Sequence, residues 1–350
     1  MSRIDWIVMQ RVGARVLITI AVFFGLMCLV ESLDTWRFQT LAAIGGPLLP
    51  LAAIVTGAGR SVIGTLPITV LIGTIIGVLE LQSRRELTVI KASGVSIWRI
   101  LRAPMAAALL LGLAVALIAD ALAIEATRAL PDTGRRGEAG RLWLEQHGAD
   151  GDYRMVAEHR GVDGTVLSDV TIFLSDAGRE RIEAETAHLA DGGWLLTNAV
   201  RYRIDAPAER FAELRLPTTT TPGDMRARLT SVRDLTFFEL VEVFGQNIAD
   251  PELRAAIRTS LLRLATLPAL LVGSVLIGFA FTSGYRRTNK YGSTVLYGIV
   301  LGFVVYVVTE LANRSGFAGV LDPAFAAAGP ALVAIVIGLT VLLYREDGRA

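Results

Sequence analysis

The residues best suited to chemistry lie in a short basic segment, Ser83–Trp98, which reads SRRELTVIKASGVSIW and separates two long apolar runs. On a helix, its apolar positions fall near one face: Leu87, Ile90, Gly94, Ile97 and Leu101. Its basic residues, which can reach lipid headgroups or a partner, are Arg84, Arg85 and Lys91. Glu86 offers a carboxylate to a basic residue across an interface. The period fits a helix on the membrane surface and a docking helix equally well.

A second group of ionisable residues lies close to the hydrocarbon. The acids are Glu31, Asp120 and Glu310, and the arginines on one later run are Arg254, Arg258 and Arg263. A charge at the centre of a spanning helix costs about 2.5–3.5 kcal/mol, so such residues tend to face protein or a polar cavity. Snorkelling explains each residue taken singly. Three arginines on one helix, however, could attract an anionic lipid headgroup.

Enzymatic chemistry has little support in this sequence. It contains no G-x-S-x-G, H-E-x-x-H or glycine-rich phosphate loop. Its three histidines, His147, His159 and His188, do not have metal-ligand spacing. A single cysteine, Cys28, excludes a disulfide within the chain and a cysteine metal cluster. The net charge of +1 leaves no basic stripe for nucleic acid.

The charged residues of the first two groups lie within or beside six long apolar runs. The 350 residues are 53% hydrophobic and 19% charged, with a mean hydropathy of +0.52, which is too apolar for a soluble domain. A spanning helix needs about 20 mostly apolar residues. The predicted spans are Val12–Leu33, Ser61–Leu81, Ile100–Ile124, Thr259–Thr282, Tyr291–Ala312 and Pro323–Tyr344.

Short loops set the orientation, because lysine and arginine concentrate on the cytoplasmic side. The basic loops precede the first run, join the second to the third and the fourth to the fifth (Arg286, Arg287 and Lys290), and follow the sixth. Both termini are therefore predicted in the cytoplasm. The three predicted regions are residues 1–124 with a cytoplasmic helix at about 84–98, a region outside the membrane at 125–250, and residues 251–350.

The region 125–250 changes period from helix to strand. One half-buried strand is predicted from the alternation of Trp194, Leu196, Val200, Tyr202 and Ile204. The pattern recurs at Val166–Leu174, and Leu142 with Leu144 and Tyr153 with Met155 predict two earlier strands. Several short strands at this spacing predict a small sandwich or jelly roll. A short helix with a capping box, Thr236 and Glu239, returns the chain to the membrane. The predicted fold class is thus an α-helical membrane protein with six transmembrane helices and an all-β, jelly-roll-like domain between helices 3 and 4.

The segment Leu66–Trp98 resembles the second helix and coupling helix of the LptF/LptG lipopolysaccharide-export permeases. The matching features are the L-P start, R-E-L-T-V at Arg85–Val89 and A-S-G-V-S at Ala92–Ser96. The order of helices, a D-G-G-W turn at Asp191–Trp194 and the segment Gly298–Tyr306 extend the resemblance over the whole chain. The Gly316–Pro323 region and the short C-terminus favour the LptG branch.

The resemblance implies a permease of the bacterial inner membrane that extracts lipopolysaccharide, with its β domain in the periplasm. It implies a sibling permease (LptF, if this chain is LptG), an LptB-type ATPase dimer that binds ATP and Mg²⁺ in place of this chain, an LptC-type bridge protein, and contact with membrane lipids. Glu86 matches the coupling-helix glutamate that docks into the ATPase, with Arg84, Arg85, Leu87, Ile90 and Lys91 around it. The first and fifth helices would line the lipid cavity, where Glu31 and Glu310 are candidate gate residues.

One stretch departs from the family pattern. The outer end of the first helix in the LptG branch can carry several basic residues for lipid phosphates, whereas Cys28–Arg37 reads CLVESLDTWR. Either phosphate recognition has moved to arginines elsewhere, or the substrate core carries less phosphate. The candidate headgroup residues are Arg37, Arg254, Arg258 and Arg263.

Two other functions compete with export. An ABC permease that transmits motion through an ectodomain usually has four helices, with the ectodomain after the first, whereas this chain has three helices before it. A membrane scaffold without transport would not need the docking helix.

Overall fold

The computed structural model describes residues 3–131, 142–148, 151–159, 166–174, 180–190, 192–203, 206–220, 225, 232–245, 251–282 and 291–346. The chain forms two compact units. The helical unit comprises Met1–Leu130, Thr236–Leu240 and Arg258–Ala350, and the strand-rich unit comprises Pro131–Leu235 and Val241–Ile257.

Among the residues that the structure describes, six helical spans are long and apolar enough to cross a membrane, which confirms the prediction of six. The elements up to the strand-rich unit are α1 (Arg3–Ser32), α2 (Thr35–Gly45), α3 (Leu48–Ser83), α4 (Glu86–Ala92), α5 (Ile97–Ala114), a π-helical turn (Val115–Ala119) and α6 (Asp120–Arg128). Those after it are α7 (Phe237–Phe244), α8 (Pro251–Thr282), α9 (Tyr291–Phe317) and α10 (Pro323–Glu346). The third span runs through α5, the π turn and α6. The predicted basic loop at Arg286–Lys290 lies outside the described residues.

The connection between the first two spans is helical, which the sequence analysis missed. Asp34 caps α2 by accepting a hydrogen bond from the Arg37 backbone N–H at 3.3 Å. Gly46 ends α2 with a φ of +73°, and Pro47 follows it. The second span was predicted to begin at Ser61, yet α3 begins at Leu48, because a hydropathy run does not mark where a helix leaves the membrane.

Two glycines bring α1 and α3 into close contact. A Cβ atom at Gly73 would lie 2.6 Å from the Val16 Cα, and one at Gly77 would lie 2.9 Å from the Val12 Cα. The spacing is that of a G-x-x-x-G motif, in which small residues let helix backbones approach within a membrane. Because α1 packs on these two glycines, its register against α3 is fixed. The positions of the charged residues on α1 are therefore fixed as well.

The strand-rich unit contains a six-stranded antiparallel sheet in which each strand pairs with its neighbours in chain order. The strands are β1 (Leu142–Gly148), β2 (Gly151–His159), β3 (Val166–Leu174), β4 (Glu180–Ala190), β5 (Gly193–Arg203) and β6 (Ala206–Pro217). The core on one face includes Trp194 and Leu196, both fully buried, as the alternation predicts. Burial also raises the pKa of the Tyr153 hydroxyl to about 12, while that hydroxyl donates to the Pro217 carbonyl at 3.2 Å. The predicted strand residue Ile204 lies outside the described residues.

Three strands change their buried face along one line across the sheet. The register places Asp169, Glu185 and Asn198 side by side on β3, β4 and β5. Asp169 and Asn198 have φ values of +49° and +53°, and Asn198 donates to the Glu185 carboxylate at 2.7 Å. Such backbone conformations are tolerated best by Asn and Asp among non-glycine residues. The buried residues of β5 therefore shift from Leu196 to Ala199.

The capping box predicted at the return helix is confirmed. The Thr236 backbone N–H donates to the Glu239 carboxylate at 2.8 Å, and the Glu239 N–H donates to the Thr236 hydroxyl at 3.3 Å. Arg128, at the end of α6, donates to both Glu239 oxygens at 2.7 and 2.9 Å. The third span is thus tied to the first turn of α7.

Candidate functional site

A sharp change of direction at the end of α3 positions the candidate coupling residues. Arg85 takes a left-handed conformation with φ +60°, which a non-glycine residue adopts only at some cost, and Glu86 begins α4 directly after it. Leu87 is 2% exposed and anchors α4, Ile90 and Lys91 are half-buried, and Arg84 and Arg85 are exposed. Gly94, with φ +79°, then directs the chain into α5. The predicted segment 84–98 is therefore a seven-residue helix followed by a turn and the start of the next span.

Beside this turn, one carboxylate collects three arginines. Glu80 lies 2.6 Å from the Arg15 Nε, 3.1 Å from an Arg84 Nη and 3.8 Å from an Arg11 Nη. Its side chain is 14% exposed, whereas the three arginines are 38–52% exposed. We call these four residues the Glu80 cluster. A carboxylate within a spanning helix is costly unless it is paired, and here two arginines of α1 and the arginine directly after α3 supply that pairing.

Glu86, the main predicted docking residue, already has a partner within the chain. Its carboxylate lies 3.6 Å from Arg11 of the Glu80 cluster, and its side chain is 31% exposed. A separation of 3.6 Å in a partly exposed pair makes a weak interaction, so Glu86 can exchange this arginine for another at little cost. The carboxylate is therefore positioned at the start of α4 without being locked there.

Two further contacts join the neighbouring helices near the same turn. Arg102 of α5 donates to Asp5 of α1 at 2.5 Å, and the Asp5 side chain is only 2% exposed. The Gln82 side-chain amide of α3 donates to the backbone carbonyl of Thr282 at the end of α8. The α3–α4 turn is thus linked through α3 to both α1 and α8, and α1 is linked to α5.

At the other end of α1, Glu31 and Arg37 form an ion pair with a 3.6 Å separation. The Glu31 carboxylate packs against Gly57 of α3, where a Cβ atom would come within 2.8 Å of it. Arg37, one of the four candidate headgroup residues, therefore carries its own counter-ion. Two other headgroup candidates, Arg254 and Arg258, have exposed side chains on α8.

The fourth headgroup candidate, Arg263, lies in a charged group within the helical unit. It interacts electrostatically with Asp120, as does Arg60 of α3. Asp120 is 6% exposed and directly follows the π-helical turn Val115–Ala119. A π turn is a frequent feature of functional sites and re-aims the residues after it. Arg263 thus has an acid of the third span as an electrostatic partner, and its role as a headgroup residue stays a prediction.

The candidate gate residue Glu310 pairs with Arg314 one turn later on α9, at 2.7 Å. The helices that carry Glu31 and Glu310 are also poorly covered. Only 17% of the residues in the most apolar stretches of α1 and α9 are buried, against 72% in α3 and 67% in α8. These two helices leave large apolar surfaces for lipid or another protein.

The strand-rich unit has a cavity of about 580 Å³ beside the line of Asp169, Glu185 and Asn198. Its other polar lining residues are Thr171, Arg181 and Glu183, and its apolar ones include Val156, Phe173 and Val200. Arg181 also lies over the ring of Tyr202, 4.9 Å from its centre. Polar and apolar groups thus alternate around this cavity. In the described part of the chain, no three His, Cys, Asp or Glu side chains come close enough to hold a metal ion.

Glu80 is a candidate site residue that the sequence analysis overlooked. An acid near the end of a spanning helix, one turn before Arg84, was a usable signal. Its two partners on α1, however, are 65 and 69 residues away in sequence, and Arg11 and Arg15 had entered only the analysis of orientation.

Comparison with known proteins agrees with this architecture. The family described as lipopolysaccharide export system permease LptF/LptG matches residues 12–345. The lipopolysaccharide export system permease protein LptG of Haemophilus influenzae is 24% identical over 298 residues, which cover 80% of this chain and 82% of that protein. The match weakly favours the LptG branch. With six spans and a β domain between the third and the fourth, this chain belongs to the LptF/LptG family of lipopolysaccharide export permeases, multi-pass proteins of the inner membrane.

Proposed function

We propose that this chain is the LptG-type subunit that extracts lipopolysaccharide from the inner membrane and passes it towards a periplasmic bridge. It pairs with a sibling permease and is driven by a separate ATPase dimer, while an LptC-type protein continues the path. Both termini and α4 face the cytoplasm, and the strand-rich unit faces the periplasm. The chain contributes no catalytic residue, and ATP and Mg²⁺ bind to the partner ATPase.

The observation that carries this proposal is α4 with its carboxylate, held between the second and third spans. Glu86 begins the helix, Leu87 anchors it, and Val89 is 68% exposed where a partner could cover it. A negative charge beside exposed apolar surface suits a basic, partly apolar groove. The weak pair between Glu86 and Arg11 leaves that charge ready for an arginine or lysine of the ATPase.

The links around the turn provide a route for motion. A push on α4 acts directly on the end of α3, because Glu86 follows Ser83 by only three residues. From there, the Glu80 cluster connects α3 to α1, and Gln82 connects α3 to α8. Closure of the ATPase dimer would thus move α1 against its neighbours and narrow a cavity lined by α1 and α9. The low burial of these two helices supports their role as cavity walls and lateral gates.

Lipid phosphates are expected at the other end of the helical unit. Arg254 and Arg258 on α8 are candidates because both side chains are exposed, and Arg37 and Arg263 are further candidates that also have acidic partners. Glu31 and Glu310 would then act as gate residues through their pairs with Arg37 and Arg314.

The test is a Glu86→Ala variant in the purified complex, reconstituted in liposomes with lipopolysaccharide. We expect lipopolysaccharide release to fall at least tenfold while the ATPase still hydrolyses ATP, because the step lost is coupling. Thr88→Ala is the matched control, since Thr88 is an exposed, uncharged residue of the same helix. Release at the normal rate from Glu86→Ala would refute the coupling role.

A second measurement separates coupling from simple damage to the fold. If the Glu86→Ala change damaged the fold, it would lower the unfolding temperature of the purified chain and reduce ATP hydrolysis and release together. The coupling role instead predicts that release falls while ATP hydrolysis continues, with an unfolding temperature close to that of the wild type, because the exposed pair with Arg11 contributes about 1 kcal/mol or less.

A further inference from the structure

A cavity of about 760 Å³ opens between α1 and the α3–α4 turn. Its charged lining consists of four arginines and two glutamates, namely Arg11, Arg15, Arg84, Arg85, Glu80 and Glu86. It lies at the opposite end of α1 from Glu31, and hence from the predicted headgroup residue Arg37. We call it the α1–α4 cavity.

The charges of this cavity do not balance. Four arginines against two glutamates leave a net charge of +2. Glu80 is shared by three arginines, and Glu86 is 3.6 Å from Arg11. Within the described residues, Arg85 has no carboxylate within 4 Å. The cavity therefore has the electrostatics of an anion site, with Arg85 as the cation least engaged by the protein.

The remaining lining is apolar and exposed. Ile7, Ile18 and Val89 are 43%, 51% and 68% exposed, and all three line the cavity. Ile18 lies one turn beyond Arg15 on α1, a helix whose apolar surface continues into the membrane. An anion held by the arginines would thus have apolar surface directly beside it. A soluble anion makes no use of such a surface, whereas a phospholipid places its acyl chains there.

We propose that the α1–α4 cavity binds an anionic glycerophospholipid. Its phosphate would lie between Arg85 and the arginines of α1, and one acyl chain would follow Ile18 along α1. Because Arg11 faces both the cavity and Glu86, a bound phosphate would compete with Glu86 for this arginine. Lipid binding and the availability of the Glu86 carboxylate would then be linked. The site is distinct from any lipopolysaccharide site at the other end of α1, and its existence does not depend on the export function.

The test is native mass spectrometry of the full-length chain in detergent. Equal amounts of phosphatidylglycerol and phosphatidylethanolamine with the same acyl chains are added, and the retained lipids are counted. We expect the wild type to retain phosphatidylglycerol preferentially. Arg85→Gln, and separately Arg11→Gln, should each lower its retention about fivefold, the typical contribution of one arginine to anionic lipid binding.

Two variants control for charge and backbone effects. Arg99→Gln removes one exposed arginine in the first turn of α5, outside the cavity, so it should retain as much phosphatidylglycerol as the wild type. Arg85→Gly suits the positive φ of this position, so it removes the guanidinium without straining the turn, and it should match Arg85→Gln.

Three outcomes would overturn the proposal. The first is a wild type that does not prefer phosphatidylglycerol, and the second is equal retention by the cavity variants and the wild type. The third is a loss in Arg99→Gln as large as that in Arg85→Gln, which would indicate only the general charge of this membrane face. None of these three outcomes would affect the Glu86 coupling test, because that test measures lipopolysaccharide release.

Discussion

The close contact between α1 and α3 predicts that a larger residue at Gly73 destabilises the chain. In a Gly73→Ala variant, the new methyl group would lie 2.6 Å from the Val16 Cα, whereas ordinary contacts begin at 3.4 Å. The obstructing atom is backbone, so α1 must move away as a unit. Overpacking of this kind costs about 1–3 kcal/mol. The movement would also stretch the 2.6 Å pair between Arg15 and Glu80, because Arg15 precedes Val16 on α1.

The chain provides both the probe and the control. Cys28 is the single cysteine, it lies on α1 and it is partly buried, so a thiol-reactive fluorogenic dye reports unfolding during heating. Gly64→Ala changes the same helix at an exposed glycine with no atom within 4 Å of the added Cβ. We expect Gly73→Ala to lower the unfolding temperature by several degrees, and Gly64→Ala to leave it unchanged or raise it, because alanine favours helix. Equal unfolding temperatures for the two variants would refute the packing argument.

Two further predictions concern the return helix and the sheet. The hydrogen bond from Arg128 lowers the pKa of Glu239 to about 2, so its stabilising effect is complete above about pH 4.5 and is lost as the pH falls towards 2. Arg128→Gln should therefore lower the unfolding temperature at neutral pH and lower it by much less near pH 3. The pair contributes about 1 kcal/mol or less to stability, because both side chains are over one-third exposed. A decrease in unfolding temperature that does not depend on pH would contradict this. In the sheet, Asn198→Val should cost about 1–3 kcal/mol at φ +53° and speed hydrogen exchange in β5 of the full chain, whereas Asn198→Gly should not. Equal exchange in both variants would show that the left-handed backbone is not the cause.

The spanning helices, the start of strand β5 and the capping box could be predicted because each depends on residues that are close together in the sequence. A run of about 20 apolar residues can satisfy its backbone groups inside a bilayer only as a helix, so six runs predict six spans. The alternation from Trp194 to Tyr202 predicts a strand with one buried face. Trp194 and Leu196 are fully buried, as predicted, but the buried face shifts to Ala199 after Asn198, so the prediction is wrong for Tyr202, which is 36% exposed. The capping box of Thr236 and Glu239 is equally local, because its two residues are three apart.

Hydropathy does not measure where a helix begins or ends, so the full extent of the helices was not predicted. The helix α2 has a capping aspartate at its start and a glycine with φ +73° after its end, but it is too short to span a membrane and was missed. The helix α3 begins 13 residues before Ser61, where the apolar run predicted as the second span starts. A helix extends as far as its backbone hydrogen bonds continue, not as far as its apolar run.

The family, the number of spans and the approximate place of the coupling segment at 84–98 could be predicted from the sequence alone, because each depends on neighbouring residues or on a pattern along the chain. Which charges meet could be read only from the folded chain. Glu80 pairs with two arginines of α1 and with Arg84, Arg37 and Arg263 have acidic partners, and Arg85 faces a cavity. An ion pair in or near a membrane depends on how two helices face each other. That orientation is set by close contacts such as Gly73 on Val16, between residues 57 positions apart.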